Sequence, residues 1–305
     1  MATDDAYGKA VRSVRRVLPG QGPGRVLSAV DRLEHDTRLD AAAAPLRDWI
    51  GKLPLGGARD ALHGRWLGHP LHPLMVQLPV GAWLSAAALD VLPGHRRGAR
   101  ALVALGLAGA GPAAVAGWVD WAELRPRQQR VGLVHAVGNV AAVGLYAGSF
   151  AARCAGRHGL GRALGFAGLT AVGASGALGG HLAYRQSAGA NHAEGLAARA
   201  GGDWHDLGEL GDFPVGEAVL RRAGEVAVVV VRESEETVRV LVEQCSHLGG
   251  PLSQGEVVDG CLQCPWHGSR FRLEDGWNVQ GPATAPQPAF ETRIEDGRVQ
   301  ARLRD

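Results

Sequence analysis

Cysteine, lysine and aromatic residues are all scarce in this chain: among 305 residues there are four Cys, two Met and two Lys, and Phe, Trp and Tyr together make up 5%. Four cysteines (Cys154, Cys245, Cys261 and Cys264) are too few for a secreted disulfide framework, which makes metal ligation the better default for them. All but two of the 32 basic residues are Arg, alongside abundant Ala and Gly, which reads as nucleotide bias and not as a nucleic-acid surface. No nucleic-acid partner is expected. The opening MATDDAYGKAVRSVRR lacks the apolar core of a signal peptide, so no cleavage or export is expected before the first apolar stretch. Dinucleotide fingerprints, P-loops and flavin motifs are also missing, so reducing equivalents for any redox chemistry must come from outside.

The formal net charge of +2 is a cancellation. Residues 1–201 hold 22 Lys and Arg against 12 Asp and Glu, net +10, whereas residues 202–305 hold 10 against 18, net −8. Two bodies with different surroundings are implied. Residues 1–63 form a polar, Arg-rich lead-in with helical patches at 25–38 and 41–50. Four stretches without Asp, Glu, Lys or Arg follow, at residues 66–89, 101–119, 131–152 and 163–184. Each is close to the roughly 20 residues a helix needs to cross a hydrocarbon core. Small-xxx-small pairs such as Gly144/Gly148 and Gly176/Gly180 predict close helix approach, and Trp66, Trp83, Trp118 and Trp121 include several near the expected interfaces. A soluble Ala-rich bundle is the alternative, but four successive charge-free spans joined by short Arg-bearing loops weigh against it.

An even number of spans puts both termini on one side. The loops carrying Arg96, Arg97, Arg100, Arg153, Arg157 and Arg162 put six positive charges on the far side, against eight on the near side. That margin is narrow for the positive-inside rule. Together with the missing signal peptide and sparse Cys, it points to a multi-pass protein of the cytoplasmic membrane with both termini in the cytoplasm.

Residues 187–201 read as a small-residue linker. Beyond them, Val-rich runs at 225–232, 237–243, 257–263, 270–273 and 298–303 alternate with Asp-Gly pairs at 259/260, 275/276 and 296/297. That alternation is a hairpin signature and predicts a compact antiparallel β domain over residues 202–305. The expected fold class is therefore multidomain: an all-α four-helix transmembrane bundle over residues 64–186, followed by an all-β sheet or sandwich domain.

Within the β domain stand Cys245-Ser-His247-Leu-Gly-Gly-Pro and Cys264-Pro-Trp-His267-Gly, each offering one thiolate and one imidazole. A 2Fe-2S centre with two Cys on one iron and two His on the other needs that donor set. A zinc site from the same four residues is the alternative, but Cys-x-His spacing in Gly-Pro loops fits zinc knuckles poorly. Cys261-x-x-Cys264 alone would suggest a thioredoxin-like pair; with Cys264 assigned to iron, Cys261 reads as an apolar strand residue.

From Trp204 through the GPATAP segment at 281–286, the region resembles Rieske proteins. The resemblance implies that Cys245 and Cys264 bind the inner iron and His247 and His267 the outer, redox-active iron. It also implies that Gly249, Gly250, Pro251, Pro265, Gly268 and Pro282 shape the cluster loops and supply backbone N–H groups to the sulfurs. Quinol-oxidising Rieske subunits carry an extra, disulfide-linked Cys in each loop, and here those positions are Gly250 and Trp266. The sequence therefore resembles the ferredoxin and ring-hydroxylating-oxygenase branch, which implies a lower potential; Ser269 is a candidate hydrogen-bond donor that would raise it somewhat. The oxygenase reaction itself needs a second domain with a mononuclear iron, and only 38 residues follow His267, so hydroxylation by this chain alone is not expected.

Gly68-His69-Pro-Leu-His72-Pro, at the entrance to the first span, resembles a widespread family of bacterial four-helix membrane domains. His69, His72, His135 and His181 all fall at the membrane face to which residues 187–201 deliver the β domain. Histidines from facing helices are the usual axial ligands of b-type haem, so His135 with His72 or His181 is a candidate site for haem b or a quinone head group. Water, headgroups or helix ends satisfying these rings is the alternative. The leading functional expectation is a membrane-anchored carrier of single electrons between a reductase or ferredoxin and an acceptor protein. An oxidoreductase relay with haem or quinone, and a redox sensor, are the rivals. The acidic β domain would attract a basic partner or simply stay soluble through its charge.

Overall fold

The computed structural model describes residues 24–303; the opening sequence read above for a signal peptide lies outside the described residues. Two short amphipathic helices, α1 (Arg25–His35) and α2 (Asp40–Gly51), lead to α3 (Gly57–His63) and a single-turn α4 (Leu71–Met75). Then come the long helices α5 (Gln77–Val91), α6 (Arg96–Ala122), α7 (Pro126–Cys154) and α8 (His158–Gly180), the last extended by a wide π turn over His181–Arg185. Counting α4 with α5, four helical segments of 21 to 29 residues are long and apolar enough to cross a membrane, and no more than 28% of each apolar window is buried within the protein. Leu78, Leu84, Leu105, Val115, Val137, Val140 and Phe166 point outward. An outward apolar surface of that extent is what a lipid-facing bundle presents.

Neighbouring helices pack in the order α5, α6, α7, α8, with α8 closing back on α5. The close approach of α7 to α8 runs along Gly161, Gly165 and Gly168. A Cβ at Gly161 would lie 2.6 Å from Arg153 Cγ, and one at Gly168 2.8 Å from the Tyr146 ring. This differs from the expected pairs: Gly144 and Gly176 have open space where a side chain would go, and Gly148 and Gly180 make only ordinary contacts. Trp83 is likewise not interfacial but buried, stacked on Tyr146 with ring centroids 4.1 Å apart. At the end of the bundle away from the β domain, Arg153 makes a bidentate ion pair with Asp90 at 2.8 and 2.5 Å, both side chains buried.

The lead-in is part of the helical body. Ala43 and Ile50 of α2 pack on Trp121 and Ala122 of α6, and Arg130 at the start of α7 donates to Asp40 and to the Glu34 carbonyl.

The C-terminal part holds ten strands: β1 (His205–Glu209), β2 (Ala218–Ala223), β3 (Val226–Arg232), β4 (Val238–Val242), β5 (Glu256–Val258), β6 (Cys261–Gln263), β7 (Arg270–Arg272), β8 (Asn278–Gln280), β9 (Ala289–Glu295) and β10 (Arg298–Leu303). They form a six-stranded antiparallel sheet in the order β1-β10-β9-β4-β3-β2 and a four-stranded one in the order β5-β6-β7-β8. Two of the three Asp-Gly pairs have both residues at positive φ, Asp259/Gly260 at 50° and 70° and Asp296/Gly297 at 50° and 75°, as tight hairpins require. The first of them splits the 257–263 run into the hairpin β5-β6.

Residues 187–201 are held against the β domain. Ala197 and Ala200 join its main core, Ala193 is fully buried, and the His192 amide donates to the Ser246 carbonyl at 2.8 Å. The small side chains that suggest a loose linker also let this backbone lie flat on the sheet.

Candidate metal centre at the domain junction

Two loops project from the β domain toward the helical body, one after β4 and one between β6 and β7. In the first, the Gly249 amide donates to the Cys245 carbonyl at 2.8 Å and the Cys245 amide to the Gly250 carbonyl at 2.9 Å. In the second, the Cys264 amide donates to the Ser269 carbonyl at 2.8 Å and the Gly268 amide to the Cys264 carbonyl at 3.1 Å. These turns present Cys245 to Cys264 and His247 to His267. The two thiols lie side by side, and their interaction pulls Cys264 down to about 7 and pushes Cys245 well above its usual value. Backbone amides of His247 and Leu248 point at the Cys245 sulfur, and those of Trp266 and His267 at the Cys264 sulfur. The His247 and His267 rings stand 5.0 Å apart at 88°, and burial lowers the basicity of both.

His247 Nδ1 is buried with no partner among the described residues. An orphaned ring nitrogen in a native interior calls for a ligand, and beside two paired thiols and a second imidazole it fits a binuclear iron–sulfur group. Among the described residues, no three His, Cys, Asp or Glu side chains converge on one point. A structural zinc site would need four donors around one ion, whereas two irons taking two protein donors each do not.

The remaining predicted loop residues have specific places. A Cβ on Gly250 would lie 2.9 Å from Cys264 Sγ and 3.1 Å from the Trp266 ring, so the two positions that depart from the quinol-oxidising pattern touch each other. Ser269 Oγ, the candidate hydrogen-bond donor, accepts the Ala283 amide at 3.1 Å and pins the 281–286 segment.

Sequence reading missed Gln287, which is fully buried. Its Oε1 accepts the Ser246 amide, and its Nε2 donates to the Val242 and Gln244 carbonyls at 2.7 Å each. It also missed the contacts from the helical body. The Arg125 guanidinium donates to the Leu248 carbonyl and lies over the Trp266 ring, Arg65 donates to the Asn278 carbonyl, and Asp60 accepts the Gly281 amide. A cavity of about 30 Å³ lies between His63, Asp120, Ser246 and His247, and another of about 490 Å³ is bounded by Arg59, His63, Glu123, His267 and Gln280.

The intramembrane histidines are only partly brought together. His72 and His135 lie with ring centroids 6.3 Å apart, while His181 pairs with Glu34 at 2.6 Å. His72 Nδ1 donates to the Ala113 carbonyl, and both nitrogens of His135 are engaged, with the Ser175 carbonyl and with Asn139. The expected haem b has no support in this arrangement: both His135 nitrogens are engaged within the protein and His181 is drawn away to Glu34, which leaves His72 without a second ring to share an iron.

Comparison with known proteins bears on the β domain first. Residues 203–291 match the family described as Rieske [2Fe-2S] domain. The ferredoxin subunit of anthranilate 1,2-dioxygenase from Burkholderia cepacia is 34% identical over 101 residues, which is 33% of this chain and 93% of that protein. The chain belongs to the Rieske [2Fe-2S] family. Iron–sulfur subunit 3 of the cytochrome b6-f complex of Nostoc sp. is 36% identical to it over 78 residues, 25% of this chain and 43% of that subunit. Longer oxygenase components match over only 17% to 27% of their own length. Among solved structures, the complex of reduced oxygenase and oxidized ferredoxin in carbazole 1,9a-dioxygenase has a chain 25% identical, with a TM-score of 0.31 over 32% of this chain and 92% of that one. Residues 68–192 match a second family, described as "Predicted membrane protein (DUF2231)". The Rieske domain implies a 2Fe-2S cluster, and its relatives include electron carriers.

Proposed function

We propose that this chain is a membrane-anchored Rieske electron carrier: Cys245 and Cys264 hold the inner iron, His247 and His267 the outer, and four helices within residues 64–186 fix the cluster domain at the cytoplasmic face. The observation that carries the reading is the pairing of His247 with His267 at 5.0 Å beside Cys245 and Cys264 in one buried cluster, with His247 Nδ1 buried and unpartnered among the described residues.

When bound, the cluster supplies a one-electron couple whose potential lies above that of an all-thiolate centre, because neutral imidazole donates less charge than thiolate. The chain's own residues hold and insulate it. Backbone amides at 247, 248, 266 and 267 point at the sulfurs, Gln287 fixes the first loop, and Leu252, Leu262 and Phe271 pack with the two cysteines in a fully buried apolar cluster. Electrons would come from a reductase or ferredoxin and leave to an acceptor protein, the partner kinds of the ferredoxin branch. The net charge of −8 over residues 202–305 suits a basic partner.

Two measurements test this. Purified full-length protein should contain two irons and two acid-labile sulfides per chain; zinc without sulfide contradicts the proposal. Cys154, exposed at the bundle end away from the cluster, should react with a membrane-impermeant thiol reagent added outside intact cells, and labelling only after lysis reverses the proposed orientation.

A further inference from the structure

His63 ends α3 with only 2% of its surface exposed, and it belongs to the helical body, not the Rieske domain. Its Nδ1 lies 2.9 Å from Asp120 Oδ1 near the end of α6, while its Nε2 is buried without a partner among the described residues. With Asp120 accepting from Nδ1, the neutral His63 ring carries its hydrogen there and presents a lone pair at Nε2. That lone pair belongs to a ring lining the cavity of about 30 Å³ that His247 lines from the other side. A cavity of that size has room for a water molecule but not for a cofactor. Ser246, Pro282 and Thr284 complete the wall from the cluster loops, and Gly189 and Ala190 from the connector.

With His247 bound through Nδ1, its other ring nitrogen carries a hydrogen and must find an acceptor. We propose that His63, oriented by Asp120, is a positioning residue that accepts this hydrogen bond across the cavity, directly or through one water, and thereby lowers the reduction potential of the cluster. This inference rests on the ligand assignment above and goes beyond it, because it makes the membrane domain set the potential of the soluble one. The sign follows from charge. An acceptor on the distal nitrogen increases electron donation by His247 to its iron and favours the oxidised state, and the nearby Asp120 carboxylate opposes the added electron.

The test is an EPR-monitored redox titration of the full chain in detergent, comparing wild type with His63→Leu, His63→Gln and Asp120→Asn. His63→Leu should shift the reduction equilibrium about tenfold toward the reduced state, 59 mV upward for a one-electron couple. His63→Gln keeps an acceptor oxygen and should stay close to wild type. Asp120→Asn keeps the bond to Nδ1 and loses the charge, so its potential should rise by less than that of His63→Leu. An unmoved potential in His63→Leu with an intact signal overturns the inference, as does an equal shift in His63→Leu and His63→Gln. Should His63→Leu fail to fold, an unmoved Asp120→Asn overturns it. A wild-type sample without the cluster signal overturns the ligand assignment as well, so the two failures are distinguishable.

Discussion

The His247 and His267 rings face each other edge to face at 5.0 Å, carried by two loops whose nearest ligand positions are seventeen residues apart in the chain. Each ring depends on its loop turn, and the outer iron would be held by nothing else from the protein. Replacing either histidine by Ala should therefore abolish the mixed-ligand cluster while leaving the β domain folded, since the rings add little to its core. Iron and sulfide analysis beside a far-ultraviolet circular dichroism spectrum checks both halves of that statement.

Gly250 and Trp266 occupy one another's space. A Val at 250 would drive its side chain into Cys264 Sγ and the indole ring, at an overpacking cost of about 1–3 kcal/mol. Gly250→Val should release iron faster under chelator challenge than wild type. Introducing Cys at both positions should relieve none of this unless the loops shift, because the Cβ at 250 is already tight.

Gln287 satisfies three backbone groups at the root of the first cluster loop, the Ser246 amide and the Val242 carbonyl being buried and the Gln244 carbonyl half-buried. In Gln287→Leu those groups lose their partners, each costing about 1–3 kcal/mol when buried. Melting temperature should fall, and cluster loss on heating should precede unfolding of the sheet. Simultaneous melting by visible absorbance and by circular dichroism would argue against a local clamp.

Asp90 and Arg153 pair at the opposite end of the bundle with 6% and 2% of their side chains exposed. Arg153→Ala leaves a buried carboxylate and should destabilise the helical body by about 3–5 kcal/mol, whereas Asp90→Asn with Arg153→Met should cost less. Thermal unfolding in detergent gives the comparison, and the cluster's spectrum should be unchanged in both as long as the protein is folded.

The ease of reading this sequence tracked how local each signal was. The two cluster loops were legible because a thiol and an imidazole stand two or three residues apart in a Gly-Pro turn, and the Asp-Gly pairs marked the hairpins for the same reason. The four spans followed from uninterrupted apolar runs. Gly161/Gly165 and Gly144/Gly148 share one spacing, and only the facing of α7 on α8 decides which is packed; sequence spacing carries no such information. His63 and Asp120 are separated by 57 residues, and Gln287 lies 41 from Ser246. Neither pairing has a local pattern, and a lone His near a Gly-rich segment looks like any other. The connector at 187–201 misled for a physical reason: small residues serve flexible tethers and close packing equally well.

The most direct test of the account is low-temperature EPR on the dithionite-reduced full chain in detergent, with metal analysis of the same sample. The account predicts the rhombic signal of a 2Fe-2S centre with mixed His/Cys ligation, absent from His247→Ala and from His267→Ala. An EPR-silent sample that binds zinc in place of iron would contradict it.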